Sequence, residues 1–333
     1  MIITTHAFAR AGLVGNPSDG YFGKTISFII RNFKATVRLW ETPHFEIVPT
    51  HGDLARFDSV SAFLRDVKLN GYYGGLRLIK AIVKKFHEHC RASGIHLHNG
   101  NFTIGFQTDI PRLVGLAGSS AIITATLRAL MQFYQVEIPK DLIPTLVLSA
   151  EKEELGIQAG LQDRVIQTYE GLVFMDFERS LMEERGYGIY EELKPERMPP
   201  LYVAFDPDRA EVSDVPHRNL RDLFNRGDET VVSAMQTYRD LTDRGRAALM
   251  SGDWETLHRV TNENFDLRRK IMPIAPENLR MVEVARSTGA SAKFAGSGGA
   301  IVGLYKDGRQ YQALVDALGE IRCRVLRPLV FET

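Results

Sequence analysis

One stretch of the sequence, Pro111–Ala121, constrains the fold more than any other. It is a glycine-rich loop that ends near two serines, Ser119 and Ser120, and leads directly into the apolar run Ile122–Met131. Glycine lets a backbone approach a ligand closely and adopt conformations that are closed to other residues. A helix that begins here has unpaired N–H groups and the positive end of its dipole at the loop. The pattern predicts a phosphate site at the start of a buried helix; the alternative is a plain loop whose serines cap the helix.

The composition of the chain excludes several classes of protein. Its 333 residues are enough for two domains of ordinary size. Acidic and basic residues balance at 41 each, so no general field favours nucleic acid or an anionic membrane as a partner. No apolar run approaches a membrane span, and Met1–Phe8 lacks the pattern of a signal peptide. Because the only cysteines, Cys90 and Cys323, lie far apart, we expect a cytoplasmic protein without a disulfide framework.

The order of the predicted elements indicates the fold class. Short runs of β-branched and aromatic residues predict strands in the first part of the chain, and apolar residues at helical spacing predict a helix over Gly74–Cys90. The second half combines short strands with two long charged helices, at about residues 229–250 and 254–270. This order favours an α+β fold over a doubly wound sheet. We predict two domains, residues 1–170 and 171–333.

Two acidic residues flank a short connection that contains glycine. Glu151 lies near the end of a predicted helix, residues 139–154, and Asp163 follows after that connection. Two carboxylates held apart in this way can share one site, one on a divalent cation and the other at an acceptor hydroxyl. Mg²⁺ is usually held by one or two carboxylates together with substrate phosphates. Periodicity alone favours a solvated helix face for Glu151, as it does for Glu153 and Glu154.

A second glycine-rich turn lies near the end of the chain, within Ser291–Val302. A predicted strand runs into Gly296, Ser297 and Gly298 and returns as another strand. The turn fails the dinucleotide-binding fingerprint, because the third glycine would fall at Ile301 and no helix follows. Two interpretations stay open: a tight hairpin, or a loop that closes on nucleotide phosphates or on an acceptor.

A group of potential metal ligands does not have a recognised zinc spacing. It consists of four histidines and a cysteine within a short segment: His87, His89, Cys90, His96 and His98. The first two would diverge on a helix, so no metal site is predicted there.

Together, the three motifs resemble those of the GHMP kinase superfamily, which includes galactokinase, homoserine kinase and mevalonate kinase. Arg10–Gly15 with Asp19 is similar to the first motif of the superfamily, Pro111–Ala121 to the second and Ala292–Gly299 to the third. Their order and separations fit across nearly the whole chain. Within the superfamily the chain is most similar to the glucuronokinase branch, in Phe8–Gly23, Gly71–Gly75, Gly115–Ile122 and Gln162–Gln167.

The resemblance implies a fold and an activity. The fold would have an N-terminal domain like domain 2 of ribosomal protein S5 and a C-terminal ferredoxin-like domain, with the active site in the cleft between them. The activity would be ATP- and Mg²⁺-dependent phosphorylation of the anomeric hydroxyl of a sugar, with D-glucuronate as the leading acceptor. Galacturonate, a neutral hexose or a heptose is the alternative acceptor. A nucleotide-binding sensor without catalysis is the alternative of another class. The protein would be a monomer or a homodimer.

The resemblance also assigns roles by position. Asp163 would face the acceptor hydroxyl as a base or an orienting group, and Arg10 would stabilise the reacting oxygens. Ser120 and Glu151 would hold Mg²⁺, and Asp19 would bind sugar hydroxyls. The β- and γ-phosphates would contact Gly115, Leu116, Ala117, Gly118, Ser119, Ser120 and Ala121. Substrate would contact Gly296, Ser297 and Gly298.

Two parts of the implied site are not specified by the motifs. The carboxylate of a sugar acid requires a cationic partner, and Arg112, Arg164 and Lys24 all lie near motifs. Candidate walls for the adenine are Trp40 and Asn70–Tyr73, although a core role is favoured for both.

Overall fold

The computed structural model describes residues 1–49, 74–208 and 214–332, with the backbone alone at 214–219. Within these ranges, ten strands form two sheets. The strands are β1 (Ile2–Val14), β2 (Lys24–Thr42), β3 (Glu46–Ile47), β4 (Asn101–Thr108), β5 (Leu172–Asp176), β6 (Ile189–Glu192), β7 (Leu201–Phe205), β8 (Lys293–Phe294), β9 (Ala300–Leu304) and β10 (Arg324–Leu326).

Helices cover both sheets, and the residues between them form the connections. The helices are α1 (Gly75–Ala92), α2 (Gly118–Tyr134), α3 (Ile143–Ser149), α4 (Gln162–Tyr169), α5 (Arg179–Arg185), α6 (Asp214–Asn225), α7 (Glu229–Ser251), α8 (Trp254–Ile271), α9 (Pro276–Ser287) and α10 (Gly308–Glu320). Across the described ranges, none of these helices is both long and apolar enough to span a bilayer.

The first sheet is organised around β2, which has 19 residues and pairs with β1, β4 and β5. The sequence predicts two separate strands here, residues 25–30 and 35–40, because the polar segment between them interrupts the apolar pattern. That segment lies where the edge partner of β2 changes from β5 to β4. A single strand thus crosses two pairing regions, and its partly exposed middle is the transition between them.

The helix after the glycine loop is the centre of the first layer. Eleven of the 17 residues of α2 are buried, and the helix packs against β1, β2 and α1. Its side chains join one core with Phe28, Ile30 and Phe86. The predicted buried helix is confirmed.

The second sheet has the order β10-β7-β9-β8 and is antiparallel throughout. Helices α8, α9 and α10 contact its strands or each other, and Tyr202, Phe265 and Phe294 belong to its core. Mixed strands and helices in two sheets confirm the predicted α+β class. Strands β5 and β6 belong to the first sheet, although they lie beyond residue 170, where the predicted first domain ends. Only the long-range pairing of β5 with β2 reveals this.

The end of β1 is joined to the second layer by buried polar contacts. Asn264 of α8 accepts a hydrogen bond from the Gly15 N–H at 2.6 Å and donates to the Asn16 carbonyl at 3.1 Å. Buried Lys293 donates to the Gly12 carbonyl and to Asn16 Oδ1, each at 2.5 Å. The first motif is therefore held against the third, although about 280 residues separate them in the chain.

Candidate active site

A cavity of about 550 Å³ brings the three motifs together. Two of the predicted site residues, Ala121 and Gly298, are absent from its lining. Ala121 is buried in the core. Gly298 packs directly against Gly115: a Cβ atom added to Gly115 would lie 2.5 Å from the carbonyl oxygen of Gly298. The lining includes the other predicted residues: Arg10, Asp19, Gly115, Leu116, Ala117, Gly118, Ser119, Ser120, Glu151, Asp163, Gly296 and Ser297.

The glycine loop presents backbone to this cavity. Gly115 has φ +71°, a left-handed conformation that favours glycine. A side chain at this position would also collide with the backbone of Gly298. Helix α2 begins at Gly118, and no side chain caps its N-terminus. Ser120 Oγ donates to the Ala117 carbonyl at 3.2 Å instead. The serine-capped alternative is therefore wrong, and the start of the helix is arranged as an anion site would be.

Arg10 is the link between the motifs. Its Nε and Nη2 donate to the two carboxylate oxygens of Asp163 at 2.5 and 2.7 Å. Its Nη1 donates to the Gly115 carbonyl at 2.7 Å and to the Ala295 carbonyl at 3.1 Å. Four of the five N–H groups of this buried guanidinium are thus used within the protein. One side chain sets the position of Asp163 relative to the glycine loop and the third motif.

The charges around Asp163 keep it ionised. Burial acts to raise the pKa of this carboxyl, but Arg10 and then Arg164 outweigh burial, and the pKa is lowered. A carboxylate with a lowered pKa is a weak base at neutral pH. Of the two predicted roles for Asp163, orienting the acceptor hydroxyl is therefore the better supported.

Glu151 is buried, with 1% of its surface exposed, so the solvated-face interpretation of this residue is wrong. The predicted helix at 139–154 is α3 followed by a π-helical turn at Ala150–Glu154. A π-turn has more residues per turn than an α-helix, so the periodicity that predicted exposure does not apply. Glu153 and Glu154 do face the surface, where they pair with lysines of α1.

Arg164 is the partner of Glu151. Arg164 Nε donates to Glu151 Oε2 at 2.6 Å, and Nη2 contacts the same oxygen. Burial raises the pKa of Glu151, against the opposing effect of Arg164. Arg164 also donates to the Gly160 carbonyl at 2.9 Å and lies 3.4 Å from Asp163. This guanidinium therefore connects the two acidic residues that the sequence singled out.

The donor set for a metal ion is sparse but chemically suitable. The Ser120 hydroxyl and the Glu151 carboxylate both line the cavity, close to the glycine loop. Oxygen ligands of this kind, few in number, fit Mg²⁺ bound together with a nucleotide. Across the described residues, no group of three or more His, Cys, Asp or Glu side chains is placed to hold a metal ion.

Asp19 forms the wall of the cavity beside Asp163. Its Oδ2 accepts a hydrogen bond from the Gln162 N–H at 3.2 Å, and it packs against Gly160, where a Cβ would overlap the carboxylate. Burial and then the charge of Asp163 raise the pKa of Asp19 to about 6. Two carboxylates thus face the same part of the cavity with different proton affinities.

The third motif is both a hairpin and a wall of the site. The Ala295 N–H donates to the Ala300 carbonyl at 2.9 Å, which closes the turn between β8 and β9. Arg268 of α8 donates to the carbonyls of Gly296 and Ser297 at 2.9 and 3.0 Å. The two interpretations of this turn are therefore compatible.

Of the residues considered for the sugar carboxylate and for the adenine, some line the cavity and others do not. Lys24 donates to Asp243 at 2.8 Å and is not part of the cavity lining, whereas Arg112 and Arg164 are. Trp40 is half-buried on β2 and is also absent from the lining. Asn70–Tyr73 lies outside the described residues. The sequence missed several residues that the structure adds to the cavity: Tyr21, Phe106, Ile110, Ile122 and Arg221.

Comparisons with known proteins indicate one family. Family models match at residues 77–171, for the GHMP kinases N terminal domain, and at residues 246–322, for the GHMP kinases C terminal region. Probable glucuronokinase 2 of Arabidopsis thaliana is 45% identical over 317 residues, which are 93% of this chain and 86% of the plant protein. Glucuronokinase 1 of the same plant is 43% identical over 320 residues, covering 94% of this chain and 88% of its own.

A solved structure supports the same fold. The crystal structure of Lactococcus lactis galactokinase complexed with galactose matches with a TM-score of 0.78 and 14% identity, covering 99% of this chain and 93% of that one. At this identity the likeness shows the fold alone. The family models and the plant relatives extend across both sheets and the cavity between them. The chain therefore belongs to the GHMP kinases.

Proposed function

We propose that this chain is an ATP-dependent kinase that phosphorylates the anomeric hydroxyl of D-glucuronate. One observation carries the proposal: Arg10 ties the carboxylate of Asp163 to the Gly115 carbonyl of the glycine loop, at 2.5–2.7 Å. The group that would face an acceptor and the loop that would hold phosphates are thereby set on opposite sides of one buried guanidinium. The two glucuronokinases that match most of the chain support D-glucuronate as the acceptor.

The side chains suit the needs of phosphoryl transfer, which depends on positioning and charge neutralisation more than on covalent chemistry. The glycine loop and the start of α2 would hold the β- and γ-phosphates with backbone N–H groups. Asp163, kept ionised by Arg10, would accept a hydrogen bond from the anomeric hydroxyl and align it. Asp19 would accept hydrogen bonds from the sugar hydroxyls beside it, and Gly296 and Ser297 would close the site.

Ser120 and Glu151 would hold the metal ion. Mg²⁺, when bound there with ATP, supplies positive charge that offsets the charge of the triphosphate. Arg164 contacts Glu151 from the acceptor side and would keep this carboxylate oriented. Arg10 has one remaining N–H group with which to reach a reacting oxygen.

The setting of the reaction is also part of the proposal. Two buried free cysteines, Cys90 and Cys323, support a reducing, cytoplasmic setting, and balanced charge supports small molecules as partners. The enzyme would work as a monomer or a homodimer. The alternatives are the same transfer to another sugar, such as galacturonate, a neutral hexose or a heptose, and a sensor that binds nucleotide without turnover. The complete set of Arg10, Asp163 and Glu151 at one cavity favours an enzyme over a sensor.

A panel of acceptors tests the proposal. ATP consumption is measured with D-glucuronate, D-galacturonate, D-glucose, D-galactose and a free heptose, with a matched reaction lacking acceptor. We expect the highest kcat/KM with D-glucuronate. A higher value with another sugar would change the acceptor, and binding of ATP without turnover on any of them would support the sensor.

A further inference from the structure

We propose that Arg221 of α6 binds the carboxylate of the sugar acid and thereby selects it over neutral sugars. The inference rests on the proposed function and adds a residue that none of the motifs contains. It also replaces the three candidates taken from the sequence: Lys24 lies outside the cavity lining, Arg164 is committed to Glu151, and Arg112 belongs to the loop on the phosphate side.

Arg221 reaches the cavity from the second half of the chain. Its guanidinium lies against Gly20, where an added Cβ would be 3.0 Å from Arg221 Nη2. Gly20 directly follows Asp19, and both line the cavity together with Arg221. The positive charge therefore lies against the segment that carries Asp19, the residue proposed to hold the sugar hydroxyls. A sugar held by its hydroxyls at Asp19 would have a substituent within reach of this cation.

Within the part of the chain whose side chains are described, the charge of Arg221 has no carboxylate partner. Among the residues whose side chains are described, no carboxylate oxygen lies within 4.0 Å of its nitrogens. By contrast, Arg10 is paired with Asp163 and Arg164 with Glu151. A half-buried guanidinium in a cavity favours an anionic ligand, and a carboxylate matches its planar pair of donors.

Aromatic packing holds Arg221 in place without using its N–H groups. Its guanidinium carbon lies 4.6 Å from the centroid of the Tyr21 ring, a cation–π contact. Phe224, one turn further along α6, packs edge-to-face on the same ring at 5.1 Å. Arg221 and Phe224 of α6 thus both pack on the ring of Tyr21, which is buried. A cation–π contact does not require an N–H donor, so the N–H groups of Arg221 could form two parallel hydrogen bonds to a carboxylate.

The test compares an acid with its neutral analogue. The acceptors are D-glucuronate and D-glucuronamide, which differ only in the charge and hydrogen-bonding of one group. The Arg221→Gln variant should raise the KM for D-glucuronate by about 10- to 100-fold, the range expected for loss of a hydrogen-bonded charge pair. The KM for ATP and the kinetics with D-glucuronamide should stay near those of the wild type. Arg226→Gln, at an exposed position directly after the same helix, is the matched control and should leave the kinetics with both acceptors unchanged.

The outcomes separate this inference from the proposed function. If the wild type phosphorylates D-glucuronate but Arg221→Gln keeps its preference for the acid, Arg221 is not the carboxylate partner and the kinase proposal stands. A rise in the KM for ATP alone would likewise overturn the inference, by placing Arg221 on the phosphates. If the wild type does not use D-glucuronate, both fail. Arg221→Lys, which keeps the charge but not the paired donors, should give a smaller rise in KM, and serves if Arg221→Gln folds poorly.

Discussion

The proposed phosphate side and the proposed acceptor side of the cavity are built by different means. On the phosphate side, a contiguous loop and the start of α2 present backbone, and the conformation of Gly115 sets its shape. On the acceptor side, Arg10, Asp19, Asp163 and Arg221 come from separate segments and present charged side chains. A site made of backbone groups is formed by residues that are neighbours in the sequence, so a local pattern can predict it. A side-chain site depends on which distant segments the fold brings together, and its charges determine how it responds to pH and to substitution.

The largest effect is expected at Asp163, where the two sides meet. Asp163→Asn keeps the size of the side chain but removes the charge proposed to orient the acceptor, so kcat should fall at least about 100-fold. The affinity for an ATP analogue should stay the same, because the glycine loop is unchanged. Single-turnover kinetics and nucleotide titration measure the two quantities. Near-normal turnover would remove Asp163 from the reaction.

Glu151→Gln removes the negative charge from a buried ion pair, so that among the described residues Asp163 is the remaining carboxylate within 4.0 Å of Arg164. The free energy of unfolding should fall by about 3 kcal/mol, and turnover should need more Mg²⁺. Urea denaturation and a metal titration check these effects. Glu153→Gln is the control: it lies three-fifths exposed on the surface, and its loss should change the free energy of unfolding by less than about 1 kcal/mol. An unchanged metal titration for Glu151→Gln would exclude Glu151 as a ligand.

The ionised carboxylate of Asp19 is expected to lower the free energy of unfolding at neutral pH, because burial disfavours its charge. Its pKa rises from 3.8 to about 6 on folding, so the native state binds the proton more tightly than the unfolded chain. Protonated Asp19 therefore adds to the free energy of unfolding at low pH, and this contribution is lost as the pH rises through about 6. Asp19→Asn should therefore raise the free energy of unfolding at pH 8 by up to about 3 kcal/mol, with a smaller gain as the pH falls from 6 towards 4. Urea denaturation at several pH values measures this, and a gain that does not depend on pH would contradict it.

On the phosphate side, Gly115→Ala should give the smallest of these effects. A left-handed alanine costs about 1–2 kcal/mol, and its Cβ would press on the Gly298 carbonyl, so the KM for ATP should rise by about 10-fold. The KM for the sugar should not change. Gly156→Ala is the control, because Gly156 has a similar φ of +65° with nothing within 4 Å of the added Cβ. An equal rise in the KM for ATP in both variants would mean that backbone strain, and not the contact of Gly115 with the third motif, causes the effect.

The same contrast explains how much the sequence could predict. The glycine loop, the buried helix after it, the α+β class and most helices and strands follow from local patterns, and the three motifs are sufficient for the family. The ion pair of Glu151 with Arg164 does not follow, because a π-helical turn shifts the helical period just where Glu151 lies. Arg221 could not be found either: it lies on an ordinary amphipathic helix, and only the packing of α6 on Tyr21 brings it to the cavity.

The identity of the product tests most directly that both sides of the cavity act on one reaction. The enzyme is incubated with ATP, Mg²⁺ and D-glucuronate, and the products are examined by ³¹P NMR with coupling to protons. We expect a phosphate ester whose phosphorus couples to the anomeric proton of glucuronate, formed in step with ADP. Phosphate on another carbon, or ADP with inorganic phosphate alone, would contradict transfer to a hydroxyl aligned by Asp163.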